Sequence, residues 1–534
     1  MKKLYLFILL LVFSKVIQAQ EQAWVYFTDK ENVAAAIANP ITILSQEAID
    51  RKNLHNTPID ARDVPVNENY IATIKNQQGI SVMAKSKWFN CVHVIGSISA
   101  INALENLNFV DHIDFADKSL NSRPATADQI SEEKESLEML EDFNYGISGI
   151  QVEMIRVDYL HENDFTGDGM VVAVMDSGFP EVNSLGAFNR LVTNNGLLGG
   201  YDFVNRTEDY DAFTGNDHGT KVLSTMAGFV DNELVGTAPD ANYYLFRTED
   251  VASETPVEES YWVEAAERAD SLGVDVINTS LGYQDYDNPN YSYTPADMDG
   301  NTAFITRGAN IAVEKGILVV VSAGNSGNNE NFPIIGAPAD GDAFTVGAVN
   351  GEEEYVSFSS IGPNANGTIK PDVMAMGYFS TVINTENEVS FANGTSFSSP
   401  IMAGAVTSFW QIDPSKTNLE IMQLVRESAS LYNNPTNEMG YGIPNFQLAF
   451  NSLDSTENNF LQLKIYPNPV QNKFFFANRG TEKIQLELYN LLGQLIFKRE
   501  NISSEVDISH LSSGIYITKL QSNQQEKTIK IIKQ

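Results

Sequence analysis

A chain of 534 residues is too long for one compact core and predicts two to four domains. Its 43% hydrophobic content is ordinary for a globular protein, but 34 basic against 69 acidic residues leave a formal net charge of −35, which excludes an electrostatic nucleic-acid binder and favours high solubility. With Cys91 as its one cysteine the chain has no intrachain disulfide and no multi-thiolate metal site, so durability outside a cell must come from a large core or bound ions.

Taken in chain order, Lys2 and Lys3, the apolar run Leu4 to Phe13 and the small Ala19 read as a cleavable secretory signal over residues 1–19. The run is about half the roughly 20 residues of a spanning helix, no later segment is apolar for long enough to cross a bilayer, and the signal holds no cysteine for a lipid anchor. Residues 20–117 predict a small α+β domain: Ala23 to Phe27, Cys91 to Gly96 and Val110 to Phe115 read as strands, and Ile98 to Leu107 has helical spacing. The stretch 118–144 turns polar and acidic, with Arg123-Pro124 and the run Ser131 to Glu135, and predicts a linker suited to proteolytic processing.

Over 145–451 strands and helices alternate. Met170 to Met175, Asn242 to Arg247, Val274 to Thr279 and Ile317 to Ser322 are short runs rich in Val and Ile. Helices are predicted over Glu258 to Leu272, stopped by Gly273, and over Thr302 to Lys315, stopped by Gly316. Alternating βα units predict an α/β domain with a parallel sheet covered on both faces. Residues 452–460 read as a polar linker, and 461–534, with six strand-like runs and Gly and Asn-Pro turns, predict a β-sandwich.

Four segments carry chemistry: Ala173 to Gly178, Asp217-His218-Gly219-Thr220, Ser322-Ala323-Gly324-Asn325 and Gly394 to Pro400. They supply an acid, an imidazole, an amide and a hydroxyl, the parts of an acyl-transfer site. In open parallel sheets, ligands bind beyond the carboxyl ends of the strands. Asp176, Ser280-Leu281-Gly282 and Asn325 each follow a predicted strand and so belong to one sheet edge. His218 and Ser396 each stand where a helix begins, and free N–H groups there favour a developing oxyanion beside the serine. Taken singly, each has a plainer reading: strand-end cap, structural histidine, helix N-cap.

In this order, acid, histidine, amide and serine resemble the subtilisin family of serine proteases over roughly residues 150–446. The most specific piece is Gly394-Thr395-Ser396, with Ser398 and Pro400 following. The resemblance implies a subtilisin-like three-layer fold and a serine endopeptidase. In it Ser396 attacks a peptide carbonyl, His218 relays the proton, Asp176 orients the imidazole and Asn325 binds the oxyanion, while Ser280, Leu281 and Gly282 bind substrate. The chain departs from the family at Leu223, at Phe397 and after Gly282, where Tyr283 replaces a common second glycine, so pocket shape does not carry over.

Residues 20–117 resemble, less specifically, the propeptides of such enzymes, implying a zymogen inhibited by its own first domain. The rival is a binding domain that stays attached. The last domain resembles the sorting domain of the type IX secretion system of Gram-negative bacteria, through Ile465 to Pro469, Leu488 to Gln494, Leu511 to Tyr516 and the basic end from Lys527. That implies an exported or cell-surface protein with the secretion machinery as partner; a generic adhesion or sugar-binding sandwich is the alternative. The chemistry implied requires no cofactor and acts on protein or peptide substrates. Structural calcium is common in the family, and Asp285 to Asn290 and Asp297 to Asn301 are oxygen-rich, but neither has EF-hand spacing and no ligands are assigned. An inactive adhesin would not need the whole constellation, and a sedolisin-type peptidase would carry glutamate where His218 stands.

Overall fold

The structure, a computed structural model, describes residues 20–121, 143–461 and the range 464–533 apart from the short stretches 467–469, 478–483, 491–493, 503–504 and 523–524. The export signal, nearly all of the processing stretch and parts of the C-terminal motifs lie outside the described residues. Two compact units divide at Phe446 and Gln447.

The first unit opens with four antiparallel strands, β1 (Glu21–Phe27), β2 (Ile80–Ser86), β3 (Cys91–Gly96) and β4 (Val110–Phe115), in the order β2-β3-β1-β4. The following sheet has seven parallel strands: β5 (Val171–Asp176), β6 (Leu197–Asp202), β7 (Asn242–Arg247), β8 (Val276–Thr279), β9 (Leu318–Ser322), β10 (Phe344–Val349) and β11 (Val373–Met376). Their order is β11-β10-β9-β8-β5-β7-β6. The central strands β8 and β9 are buried along their whole length, as a sheet with both faces covered requires.

Four helices matter for the site: α1 (His218–Ala227), α2 (Val257–Leu272), α3 (Phe304–Glu314) and α4 (Thr395–Trp410). Gly273 stops α2 at φ 83°, a left-handed C-cap that glycine takes without steric cost. One face of α2 carries polar groups that would be costly if left bare, and the first sheet satisfies them. Ser260 Oγ accepts from Trp24 Nε1 at 2.8 Å, and Glu267 accepts from Ser86 Oγ at 2.5 Å and from the Lys87 and Trp88 amides at 2.8 and 2.9 Å. Asp270, wholly buried, is held by Arg51 at 2.6 Å and Lys52 at 2.7 Å. Trp24 stacks on Phe304 with ring centroids 4.6 Å apart, so a single apolar core runs through both sheets.

In the second unit two small antiparallel sheets form the expected sandwich. One orders β12 (Lys464–Tyr466), β13 (Lys473–Ala477) and β16 (Glu505–Asp507); the other orders β15 (Leu495–Ile502), β14 (Ile484–Asn490), β17 (Gly514–Ser522) and β18 (Gln525–Lys533). Phe474 and Val506 of the first sheet share a core with Leu486, Leu488, Leu520 and Ile531 of the second. Residues 452–460, which the sequence marks as a polar linker, are helical, within Phe446–Leu461.

Candidate active site

The parallel sheet brings β5, β8 and β9 to one edge, and the residues singled out from the sequence collect there. Asp176 ends β5 and is wholly buried. Its Oδ1 accepts from the Ser177 amide at 2.7 Å, from Ser177 Oγ at 3.1 Å and from His218 Nδ1 at 2.8 Å. An ionised carboxylate only accepts, so Nδ1 carries the imidazole proton and Nε2 is left as the basic nitrogen. Close packing makes the contact possible: a Cβ on Gly219 would lie 2.5 Å from the Gly178 carbonyl oxygen and 2.7 Å from the Phe179 ring. Only glycine lets the first turn of α1 sit on the loop after Asp176. Burial opposes charge on His218, but the charge of Asp176 and its hydrogen bond outweigh it, and the imidazole titrates above its ordinary value.

Ser396 occupies the first turn of α4, behind Gly394 at φ 141°, a backbone conformation that favours glycine. Thr395 N–H and Oγ1 both donate to Asn325 Oδ1, at 2.9 and 3.1 Å. An amide N–H has nothing to accept with, so these bonds fix the orientation of the Asn325 side chain and turn its Nδ2 donor away from Thr395. The Ser396 N–H is one of the first-turn amides that a helix leaves without an intrahelical carbonyl. Pro400 lies four residues on and has no N–H for the Ser396 carbonyl; Ser280 Oγ donates to it instead at 2.9 Å. Ser280 is in turn held by Asn278 Nδ2 at 3.2 Å, whose Oδ1 accepts from Ser399 Oγ at 2.9 Å.

All four proposed catalytic groups thus gather at one edge, with one difference from the expected geometry. The Ser396 hydroxyl donates to the Ser280 carbonyl at 3.3 Å and makes no hydrogen bond to His218. In sites without substrate this bond is often long and tightens in the complex. Phe397 lies against the His218 ring, centroids 5.7 Å apart.

Ser280, Leu281 and Gly282 form a ridge between two lobes of a cleft. One lobe, about 320 Å³, has Ser396, Asn325, Gly324 and Gly336 in its wall; the other, about 570 Å³, has His218 and Phe397. Tyr283, where a second glycine is common, is buried; it pairs with Ala337 (N–H to O 2.8 Å) and donates its hydroxyl to Glu249. The supporting roles of Asn278, Ser399 and Thr395 were not read from the sequence.

The oxygen-rich loops considered for calcium spend carboxylates on their own turns. Asp297 caps Thr294 and pairs with Lys118, and Asp299 accepts from the Asn301 and Thr302 amides. Among the described residues, Glu249, Glu254 and Glu258 bring carboxylate oxygens within 4.8 Å of one another. Glu258, however, already accepts from the Asp250 and Thr255 amides. Three carboxylates, one of them committed to two amides, fall short of the roughly six to eight oxygens that calcium takes.

Three family models match the chain: a peptidase S8 propeptide domain of Bacteroidota over residues 22–134, the subtilase family over 167–442, and a secretion-system C-terminal sorting domain over 464–534. Subtilisin NAT of Bacillus subtilis subsp. natto is 31% identical over 339 residues, 62% of this chain and 77% of its own length. M-protease of Shouchella clausii is 29% identical over 61% of this chain and 74% of its own. A crystal structure of MycP1 from Mycobacterium smegmatis is similar over 60% of this chain and 88% of its own, at 20% identity and a TM-score of 0.43.

Proposed function

This chain belongs to the subtilase family, and from that premise we propose that Ser396, His218 and Asp176 form its catalytic triad and cut peptide bonds through an acyl-enzyme. As a whole it is a subtilisin-like serine endopeptidase with a propeptide and a type IX sorting domain, secreted or displayed by a Gram-negative cell.

His218 Nε2 takes the Ser396 hydroxyl proton as Oγ bonds to the substrate carbonyl carbon, and the carbonyl oxygen becomes an oxyanion. Asn325 Nδ2 and the Ser396 N–H stabilise that charge. His218 then gives the proton to the leaving amine nitrogen, the C–N bond breaks, and an ester on Ser396 is left. Water repeats the sequence: His218 takes its proton, the hydroxide adds to the ester carbon, and the proton returns to Ser396 Oγ as the acid leaves. Asp176 keeps its negative charge throughout and stabilises the imidazolium.

The observation that carries this reading is the 2.8 Å bond from His218 Nδ1 to the buried Asp176, which leaves Nε2 as the base. The N-terminal domain acts in the same scheme as an inhibitor removed by cutting in the 118–144 stretch. Casein and peptide hydrolysis by the matured protein tests the reading. Ser396→Ala is expected to lower turnover by a factor on the order of 10⁶, and Asn325→Ala by about 10²–10³, magnitudes carried over from a subtilisin. Full activity in Ser396→Ala would refute the assignment.

A further inference from the structure

Catalysis by the triad needs no acid other than Asp176, yet carboxylates stand on both sides of the Ser280–Gly282 ridge. Glu254 and Asp285 line the lobe that has Ser396 and Asn325 in its wall; Glu249 and again Glu254 line the lobe beside His218. The cation lining these lobes is Lys221, already paired with Asp217 at 2.7 Å. Glu254 is exposed; its amide donates to Asp287 Oδ2 at 3.2 Å, but its carboxylate has no hydrogen bond or ion pair. Asp285 accepts from its neighbour Gln284 Nε2 at 3.2 Å, and Glu249 accepts from the Tyr283 hydroxyl.

Partial burial and the charge of Asp287 push Glu254 above the ordinary carboxylate range. Burial, then Glu258, does the same more strongly to Glu249. Burial favours the neutral form of Glu249, whereas the exposed Glu254 and Asp285 line the Ser396 lobe with no lysine or arginine beside them.

A peptide carbonyl held between Ser396 and Asn325 would place the side chain of its own residue in the lobe that those two residues line. Gly282, Ala323, Gly324 and Gly336 leave its walls small enough for a long aliphatic stem. An apolar side chain there would strip water from Glu254 and Asp285 and return nothing, whereas a lysine or arginine head would pair with them. Resting on the peptidase reading of this cleft, we propose that it selects peptides with lysine or arginine on the acyl side of the cut bond, and that Glu254 and Asp285, which line the lobe with Ser396, determine the preference.

Matched fluorogenic peptides that differ only in the residue before the cut bond (Arg, Lys, Gln, Leu or Phe) test this on the matured enzyme, with active sites counted by a fluorophosphonate. The Arg and Lys peptides are expected to exceed the Leu and Phe peptides in kcat/KM by about tenfold to a hundredfold, the range for hydrogen bonds to charged groups. The advantage should shrink with added salt. Glu254→Gln and Asp285→Asn, each checked for folding by thermal melting, should each lower the Arg-to-Leu ratio severalfold. Labelled, active enzyme that cuts Leu or Phe peptides as well as Arg peptides, or a ratio unmoved in both variants, would overturn the proposal and leave the peptidase reading intact. Folded, processed protein that neither labels nor hydrolyses any peptide would overturn both.

Discussion

Pro400 and Ser280 lie far apart in sequence, but together they determine how the Ser396 carbonyl is satisfied. Ser280→Ala leaves that carbonyl without its 2.9 Å donor and is expected to cost about 1–3 kcal/mol, read as a lower thermal midpoint; an unchanged midpoint would mean that water replaces the hydroxyl. The pH dependence belongs to His218. Its folded value lies above 6.5 and the base must be neutral, so kcat/KM should fall as pH drops through a pKa above 6.5. Asp176→Asn removes the charge that raises this value, so the acid limb should move to lower pH while the rate falls by about 10⁴. An acid limb that stays in place would separate the titrating group from this pair. At this scale Asp176, His218, Asn325 and Ser396 stand out in the sequence by their order, acid, histidine, amide and serine, since a strand end or helix start alone has a plainer reading. The Ser280 contact to Ser396 does not, because it joins segments 116 residues apart and leaves no local pattern.

Elements were legible where burial made them mostly apolar. Strand β9 is Leu and Val up to Ser322, β7 carries Tyr, Leu and Phe between Asn242 and Arg247, and β8 opens on Val276 and Ile277, and their positions follow from that. In the N-terminal domain the helix Gln46–Leu54 was missed, since the residues it buries include Arg51 and Lys52, charged groups paired with Asp270 on α2. Burial there is made possible by a partner distant in sequence, which no local periodicity reveals. The same interface carries a pH response. His93 on β3 sits between Ser260 Oγ at 2.8 Å and Gln22 Oε1 at 3.0 Å, and burial pushes it down to about 3. A histidine so depressed binds its proton more readily once the domains separate. Its contribution therefore weakens the assembled state as pH falls from about 6.5 towards 3, by up to about 1.4 kcal/mol per pH unit. Glu267, pushed up to about 7 by burial, acts in the opposite sense, so the readout is a difference. Between pH 7 and 5, His93→Gln in the uncleaved Ser396→Ala protein should lose less thermal stability than its His93 parent; parallel losses would remove His93 from the account.

At the scale of the whole molecule, the first unit holds both the N-terminal domain and the peptidase, while the second begins at Gln447 and contains the sorting domain. Removal of 464–534 is therefore expected to leave peptide hydrolysis within about twofold, the scatter of changes distant from a site, while delivery to the surface or medium is lost. Delivery unchanged by the truncation would contradict the sorting role. The triad is the centre of the account, and covalent labelling tests it most directly. Matured protein treated with a fluorophosphonate should carry one adduct, mapped by peptide mass to Ser396, lost in Ser396→Ala and strongly slowed in His218→Ala. An adduct on another residue, or equal labelling in Ser396→Ala, would contradict it.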